Sequence, residues 1–228
     1  MESAAPVNLD YAASTPVRSE ALAAQRAYDA SPIAGANPNS LHTLGRQAAA
    51  RLEQCRRRVA ASLGAGVRPS EVIFTGGGTE ANIMALHGLA RAAREADPRR
   101  QRVVVSAIEH DSILDNLPVL RQEGFTCELA PAGRDGTVGI EAFSALMGPD
   151  VALVSIMLAN NETGVIQPVR ELSQIAHECG ARFHTDAIQG WLHTPFDVRD
   201  LGVDALVAGR TQRWAARWAA ARCGSIIA

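Results

Sequence analysis

Residues 71–86 read EVIFTGGGTEANIMAL. Val72, Ile73 and Phe74 form a short apolar run that ends in three glycines, Gly76, Gly77 and Gly78. Thr79 then opens a helical pattern, TEANIMALHGLARAAREA, with Ile83, Leu86 and Leu89 expected on its apolar face. A strand that turns through glycines into a helix is the joint from which α/β proteins are built.

The same joint recurs downstream. Strand-like runs stand at RVVVSAIEH (102–110), FTCELAPA (125–132), DVALVSIMLANNE (150–162), RFHTDAIQ (182–189) and VDALVAG (203–209). Helical patterns lie between them: SILDNLPVLRQEG (112–124), ended by Gly124; GIEAFSALMG (139–148); and VRELSQIAHECG (169–180). In the last of these Leu172, Ile175 and Ala176 share a face and Gly180 caps the C-terminus. Continuous runs such as VALVSIML predict strands covered on both faces, hence a mostly parallel sheet flanked by helices. Upstream, LDYAASTPVRSEALAAQRAYDA reads as a loop and then a helix, with Pro16 placed to start the helix. A surface loop, SPIAGANPNSLHTLG (31–45), precedes a long helix, RQAAARLEQCRRRVAASLGA (46–65). Arg56, Arg57 and Arg58 in that helix read as a solvated face.

Composition narrows the function classes. The 228 residues carry a formal net charge of −2 and 47% hydrophobic residues, which suits a substantial core and gives no basic surface for nucleic acid. No run has transmembrane length and no signal sequence follows Met1, so a soluble cytoplasmic protein without membrane partners is expected. Cys55, Cys127, Cys179 and Cys223 form no C-x-x-C pair, which argues for reduced thiols and against a metal site. All 22 basic residues are arginine. A guanidinium stays protonated and cannot form the imine a lysine forms.

Four strand ends carry candidate chemistry. The glycine turn before Thr79 is either an ordinary strand-to-helix turn or a phosphate cradle, with Gly78 and Thr79 at a helix N-terminus. His110, in IEHDS, stands at the sheet edge where open α/β proteins bind ligands, and is either structural or ligand-facing. The asparagines of LANNETG, Asn160 and Asn161, either satisfy backbone groups or face a polar ligand. In FHTDAIQG, Asp186 needs a cation or strong hydrogen bonds once buried, and Gln189 lies three residues on. An anion cradle, an imidazole, an amide and a carboxylate together suit pyridoxal phosphate.

These segments, with LDYAASTP, EHDSILD and ANNETGVIQP, resemble the class V aminotransferase family, and within it the cysteine desulfurases of iron–sulfur assembly. The resemblance implies a fold-type I pyridoxal phosphate-dependent large domain. It implies that Gly78 and Thr79 hold the cofactor phosphate, that His110 stacks on the ring and moves protons, that Asn161 and Gln189 reach the ring hydroxyl, and that Asp186 pairs with the ring nitrogen. It also implies L-cysteine as substrate, alanine as product, a sulfur acceptor or iron–sulfur scaffold protein as partner, and a homodimer. A selenocysteine lyase, an aminotransferase or a non-catalytic partner-binding fragment are the rival readings.

After VDALVAG the family continues with His-Lys and a glycine-rich segment, whereas this chain has Arg210, Thr211, Gln212 and Arg213. Read one base out of register, RWAARWAAAR becomes Val-Gly-Gly-Pro-Val-Gly-Gly-Gly-Ala-Leu, the family's segment. Residues 1–209 are therefore expected to be a C-terminally truncated class V domain, and residues 210–228 an out-of-frame tail that packs poorly. Covalent cofactor attachment and turnover are not expected of this chain.

Overall fold

Val151–Ser155 form β4, and all five residues are wholly buried. Such a strand needs a neighbour on each side and a layer on each face. The computed structural model supplies both, and describes residues 7–13, 15–209 and, as backbone, 225–227. The elements in chain order are α1 (Ser19–Asp29), α2 (Thr43–Leu63), β1 (Ile73–Thr75), α3 (Gly78–Ala96), β2 (Arg102–Ser106), α4 (Asp111–Leu114), α5 (Leu117–Gln122), β3 (Thr126–Ala130), α6 (Ile140–Ser144), β4, α7 (Val169–Glu178), β5 (Arg182–Asp186), α8 (Val198–Leu201), β6 (Ala205–Gly209) and β7 (Ser225–Ile227).

The sheet order is β1-β7-β6-β5-β4-β2-β3. Strands β2 to β6 pair in parallel, and β7 lies antiparallel to both β6 and β1. Strand β1 therefore points the same way as the parallel set, and six strand C-termini share one edge. One face carries α3, packed on Val103, Val105, Leu153, Ala205 and Val207. The other packs α2, α6, α7 and α8 against Val104, Val154, Ile156, Phe183 and Leu206 through Leu63, Phe143, Leu172 and Val198. The expected α/β sheet with helices on both sides is present.

Local departures have physical causes. The single helix read over 112–124 is two, α4 and α5, because Pro118 at the start of α5 offers no N–H to the preceding turn. Ile83 is exposed rather than core-facing. The buried face of α3 instead runs through Ala81, Asn82, Ala85, Leu86, Ala90 and Ala93, mostly small residues that let the helix lie close to the sheet. Arg56 is not simply solvated: it donates to the Val72 carbonyl and stacks 5.0 Å over Phe74. Gly124 and Gly180 take positive φ where α5 and α7 stop, as read. The expected poor packing of the tail falls largely on residues 210–224 and 228, outside the described residues. Ser225–Ile227 are paired on both sides within the sheet.

Candidate functional site

At the C-terminal edge of β5, Asp186 is 5% exposed. Its Oδ1 accepts from the Ile188 N–H at 2.9 Å and its Oδ2 from Asn82 Nδ2 at 2.7 Å. Burial pushes this carboxyl up from its ordinary value, while those two donors and the positive potential of His110 pull the other way. Asn82 reaches it from the first turns of α3, and the same Nδ2 donates to Ser112 Oγ at 2.9 Å. Ser112 Oγ lies 3.0 Å from His110 Nδ1, which also accepts the Ser112 N–H at 3.0 Å as the N-cap of α4. His110, Ser112, Asn82 and Asp186 thus form one hydrogen-bonded chain across α4, α3 and β5.

Glu109, beside His110, is 6% exposed. One oxygen accepts from Ser106 Oγ at 2.5 Å and from the Met157 N–H at 2.7 Å. These bonds close the gap where β2 and β4 diverge. The other oxygen is buried without a hydrogen-bond partner among the described residues. Desolvation, aided by nearby Asp186, raises the Glu109 carboxyl to about 8. Below Asp186 on the same strand face, His184 meets Ser155 Oγ at 2.9 Å through Nδ1, and burial lowers it to about 3.

The other candidates stand around this chain without joining it. Gly78 is the first residue of α3 and Thr79 is exposed in its first turn. The Gly76 N–H donates to the Glu80 carboxylate at 2.5 Å, so the turn already accepts an anionic group. A Cβ at Gly77 would meet nothing within 4 Å, which leaves open space over the turn. Of the two asparagines, Asn160 builds the loop: its Oδ1 accepts from the Glu162 and Thr163 N–H groups, and its Nδ2 donates to Ile108 O at 3.0 Å. Asn161, half-buried, donates to Glu162 at 2.9 Å. Gln189 donates to the Ala12 carbonyl at 3.3 Å, which ties the N-terminal segment to this edge. No hydrogen bond joins Thr79, Asn161 or Gln189 to the Asp186 chain among the described residues.

The residues suit a pyridoxal phosphate ring. A buried carboxylate held only by neutral donors gains from a cation beside it, and the ring nitrogen can provide one. Asn82 Oδ1, buried and without a partner among the described residues, leaves an acceptor in the same place. No lysine is present to bind the group covalently.

The sequence profile described as Aminotransferase class-V matches residues 7–212. The chain belongs to the class V aminotransferase family. Among its relatives, it is 42% identical over 205 residues to an IscS-like cysteine desulfurase of Mycobacterium tuberculosis, covering 88% of this chain and 51% of that protein. The fold matches a NifS-like protein with TM-score 0.81 at 31% identity, covering 96% of this chain and 57% of that one. It also matches SspA, solved in complex with cysteine, with TM-score 0.80 at 30% identity, covering 96% and 59%. The chain spans about half the length of the curated relatives it matches. Family membership implies dependence on pyridoxal phosphate, and the architecture is the expected fold-type I large domain.

Sequence reading alone missed Asn82, Ser112 and Glu109. Asn82 was discoverable as the polar residue on the core-facing stripe between Ala81 and Ala85. Ser112 and Glu109 gave weaker signals, since each is only a polar neighbour of His110. A cleft of about 690 Å³ lined by Ile73, Met84, Leu89, Val203 and Ala205 lies at the opposite sheet edge, away from these residues.

Proposed function

We propose that this chain carries the cofactor-binding half of a cysteine desulfurase. In that reading L-cysteine is the substrate, alanine the product, and a sulfur acceptor or iron–sulfur scaffold protein the partner. The observation that carries it is the hydrogen-bonded chain from His110 to Asp186 beside an anion-accepting glycine turn, within a fold matched by NifS-like proteins. When bound, pyridoxal phosphate supplies an electron-withdrawing ring that stabilises a carbanion. Asp186 would hold the ring nitrogen protonated. His110 would lie against the ring and carry a proton on Nε2, because Nδ1 is committed to Ser112. The N–H groups of Gly78 and Thr79 would take the phosphate, displacing Glu80 from the turn. Asn161 and Gln189 would address the ring hydroxyl after turning from Glu162 and Ala12.

With no lysine among 228 residues, this chain binds the cofactor without a covalent link and does not turn over by itself. The reduced thiols of Cys55, Cys127 and Cys179 suit the cytoplasm, where we place the protein. Homodimerisation, and the division into a class V domain over 1–209 and an out-of-frame tail over 210–228, belong to the same proposal.

Fluorescence titration with free pyridoxal phosphate, then borohydride reduction and intact-mass measurement, tests it. Saturable binding with no cofactor adduct and no sulfide from cysteine above the free-cofactor rate is expected. A stable adduct, sulfide release above that rate, or no binding overturns the reading.

A further inference from the structure

Asn82 and Ser112 lie between the two groups that the functional reading assigns to the cofactor ring. Neither is explained by core packing alone. Asn82 is wholly buried between Ala81, Ala85 and Leu86 on α3, where an apolar residue would avoid the cost of desolvating an amide. We infer that Asn82 and Ser112 are positioning residues, which orient Asp186 and His110 as a single unit.

The direction of each hydrogen bond follows from its neighbour. Asp186 Oδ2, as a carboxylate oxygen, can only accept, so the Asn82 atom 2.7 Å away is the amide nitrogen. That amide has two protons. One goes to Asp186 and the other to Ser112 Oγ, 2.9 Å away. Having accepted from Asn82, the Ser112 hydroxyl turns its own proton to His110 Nδ1 at 3.0 Å. The Ser112 N–H, a donor only, points at the same nitrogen. His110 Nδ1 therefore presents a lone pair and the imidazole carries its proton on Nε2. The charge on Asp186 thus sets the orientation of Asn82, which sets that of Ser112, which holds the tautomer of His110. Reversing the Asn82 amide would place Oδ1 against a carboxylate oxygen and break the sequence at its first link.

This inference deepens the functional reading, and only its cofactor arm rests on that reading. The His110 ring-nitrogen resonances of 15N-labelled protein without cofactor, assigned with His110→Gln, test the first arm. We expect the Nε2-protonated tautomer in the parent. In Asn82→Ala and in Ser112→Ala the Nδ1 resonance moves toward that of a less strongly bonded acceptor. Titration with free pyridoxal phosphate tests the second arm. Asn82→Ala weakens binding about tenfold, from loss of one charge-assisted hydrogen bond. A purely structural role would lower the melting temperature of both variants and leave the resonances and affinity of the folded protein as in the parent. An Nδ1-protonated parent, or His110 resonances unmoved in Ser112→Ala, overturns the inference even if Asn82→Ala fails to fold. A parent that never binds pyridoxal phosphate sinks the functional reading, while the His110 spectrum still decides this one.

Discussion

Two aspartates mark opposite ends of neighbouring strands, and the chain treats them differently. Asp204 precedes β6 at the N-terminal edge. It accepts from Arg182 at 2.7 Å, from the Phe183 N–H at 2.7 Å and from His177 at 2.9 Å. Burial opposes its ionisation, but these partners outweigh it and hold the carboxyl below its ordinary value. Asp186 ends β5 at the other edge, hydrogen-bonded by neutral amide donors and with His110 nearby, and burial outweighs them all, so its carboxyl is raised. One carboxylate is compensated by a cation of its own chain, Arg182. The other is left to be compensated by something that binds. A compensated charge is an anchor for the fold, whereas an under-compensated one marks a binding place.

Exchanging Asp186 for Asn breaks this contrast most strongly. Affinity for pyridoxal phosphate should fall roughly a hundredfold, the worth of a buried charge-assisted pair. The melting temperature should stay level or rise, since no buried charge remains. A large drop in melting temperature with affinity unchanged would show that both aspartates are anchors.

Asp204→Ala should do the reverse, costing about 2 kcal/mol of stability and leaving cofactor affinity within about twofold. Because the folded carboxyl lies below its ordinary 3.8, its contribution is complete above about pH 4 and fades as pH falls further. Urea unfolding of parent and variant at pH 6 and pH 3 should show the gap closing in acid.

Glu109 and His184 sharpen the comparison through pH. Glu109 binds its proton more tightly folded, about 8 against 4.5, so stability falls as pH rises from 4.5 toward 8. His184 binds its proton less tightly folded, about 3 against 6.5, so stability falls as pH drops from 6.5 toward 3. The two slopes oppose each other between 4.5 and 6.5, and a plateau is expected there. Glu109→Gln should remove the decline above pH 6.5 and leave the His184 slope unopposed below it, gaining on the parent by about 2 kcal/mol between pH 6 and pH 8. Equal alkaline declines in parent and variant would assign that slope elsewhere.

The smallest effect is reserved for His177→Gln. His177 is a partly exposed partner of Asp204, and its loss should cost under about 0.5 kcal/mol by thermal melt.

The parallel sheet was legible because runs such as Val151–Ser155 are apolar on both faces, which only a sheet covered on both sides accommodates. The strand-end positions of His110 and Asp186 followed from the same runs. Their connection did not, because Asn82 and Ser112 act through directions that spacing does not encode. Ile83 misled because periodicity locates a stripe only to within a residue, and small alanines carry the buried face of α3. The split at Pro118 was readable in principle, yet the apolar spacing over 113–120 outweighed one proline. Strand β7 was not readable at all, since SII is too short a run and its pairing is entirely long-range.

Helix α3 acts as a ruler. It starts at the glycine turn, and Asn82 lies four residues in, about 6 Å along the axis. The interval between the glycine turn and the Asp186 carboxylate is thus a count of residues, set by methyl groups resting on the sheet. Inserting one residue before Asn82 would turn its amide by about 100° and carry it away from Asp186, with every strand still in place. Bulky replacements at Ala81 or Ala85 would lift the ruler off the surface it measures. Tolerance to substitution at these alanines therefore reports on electrostatic spacing as well as on the core they share with Ala205 and Val207.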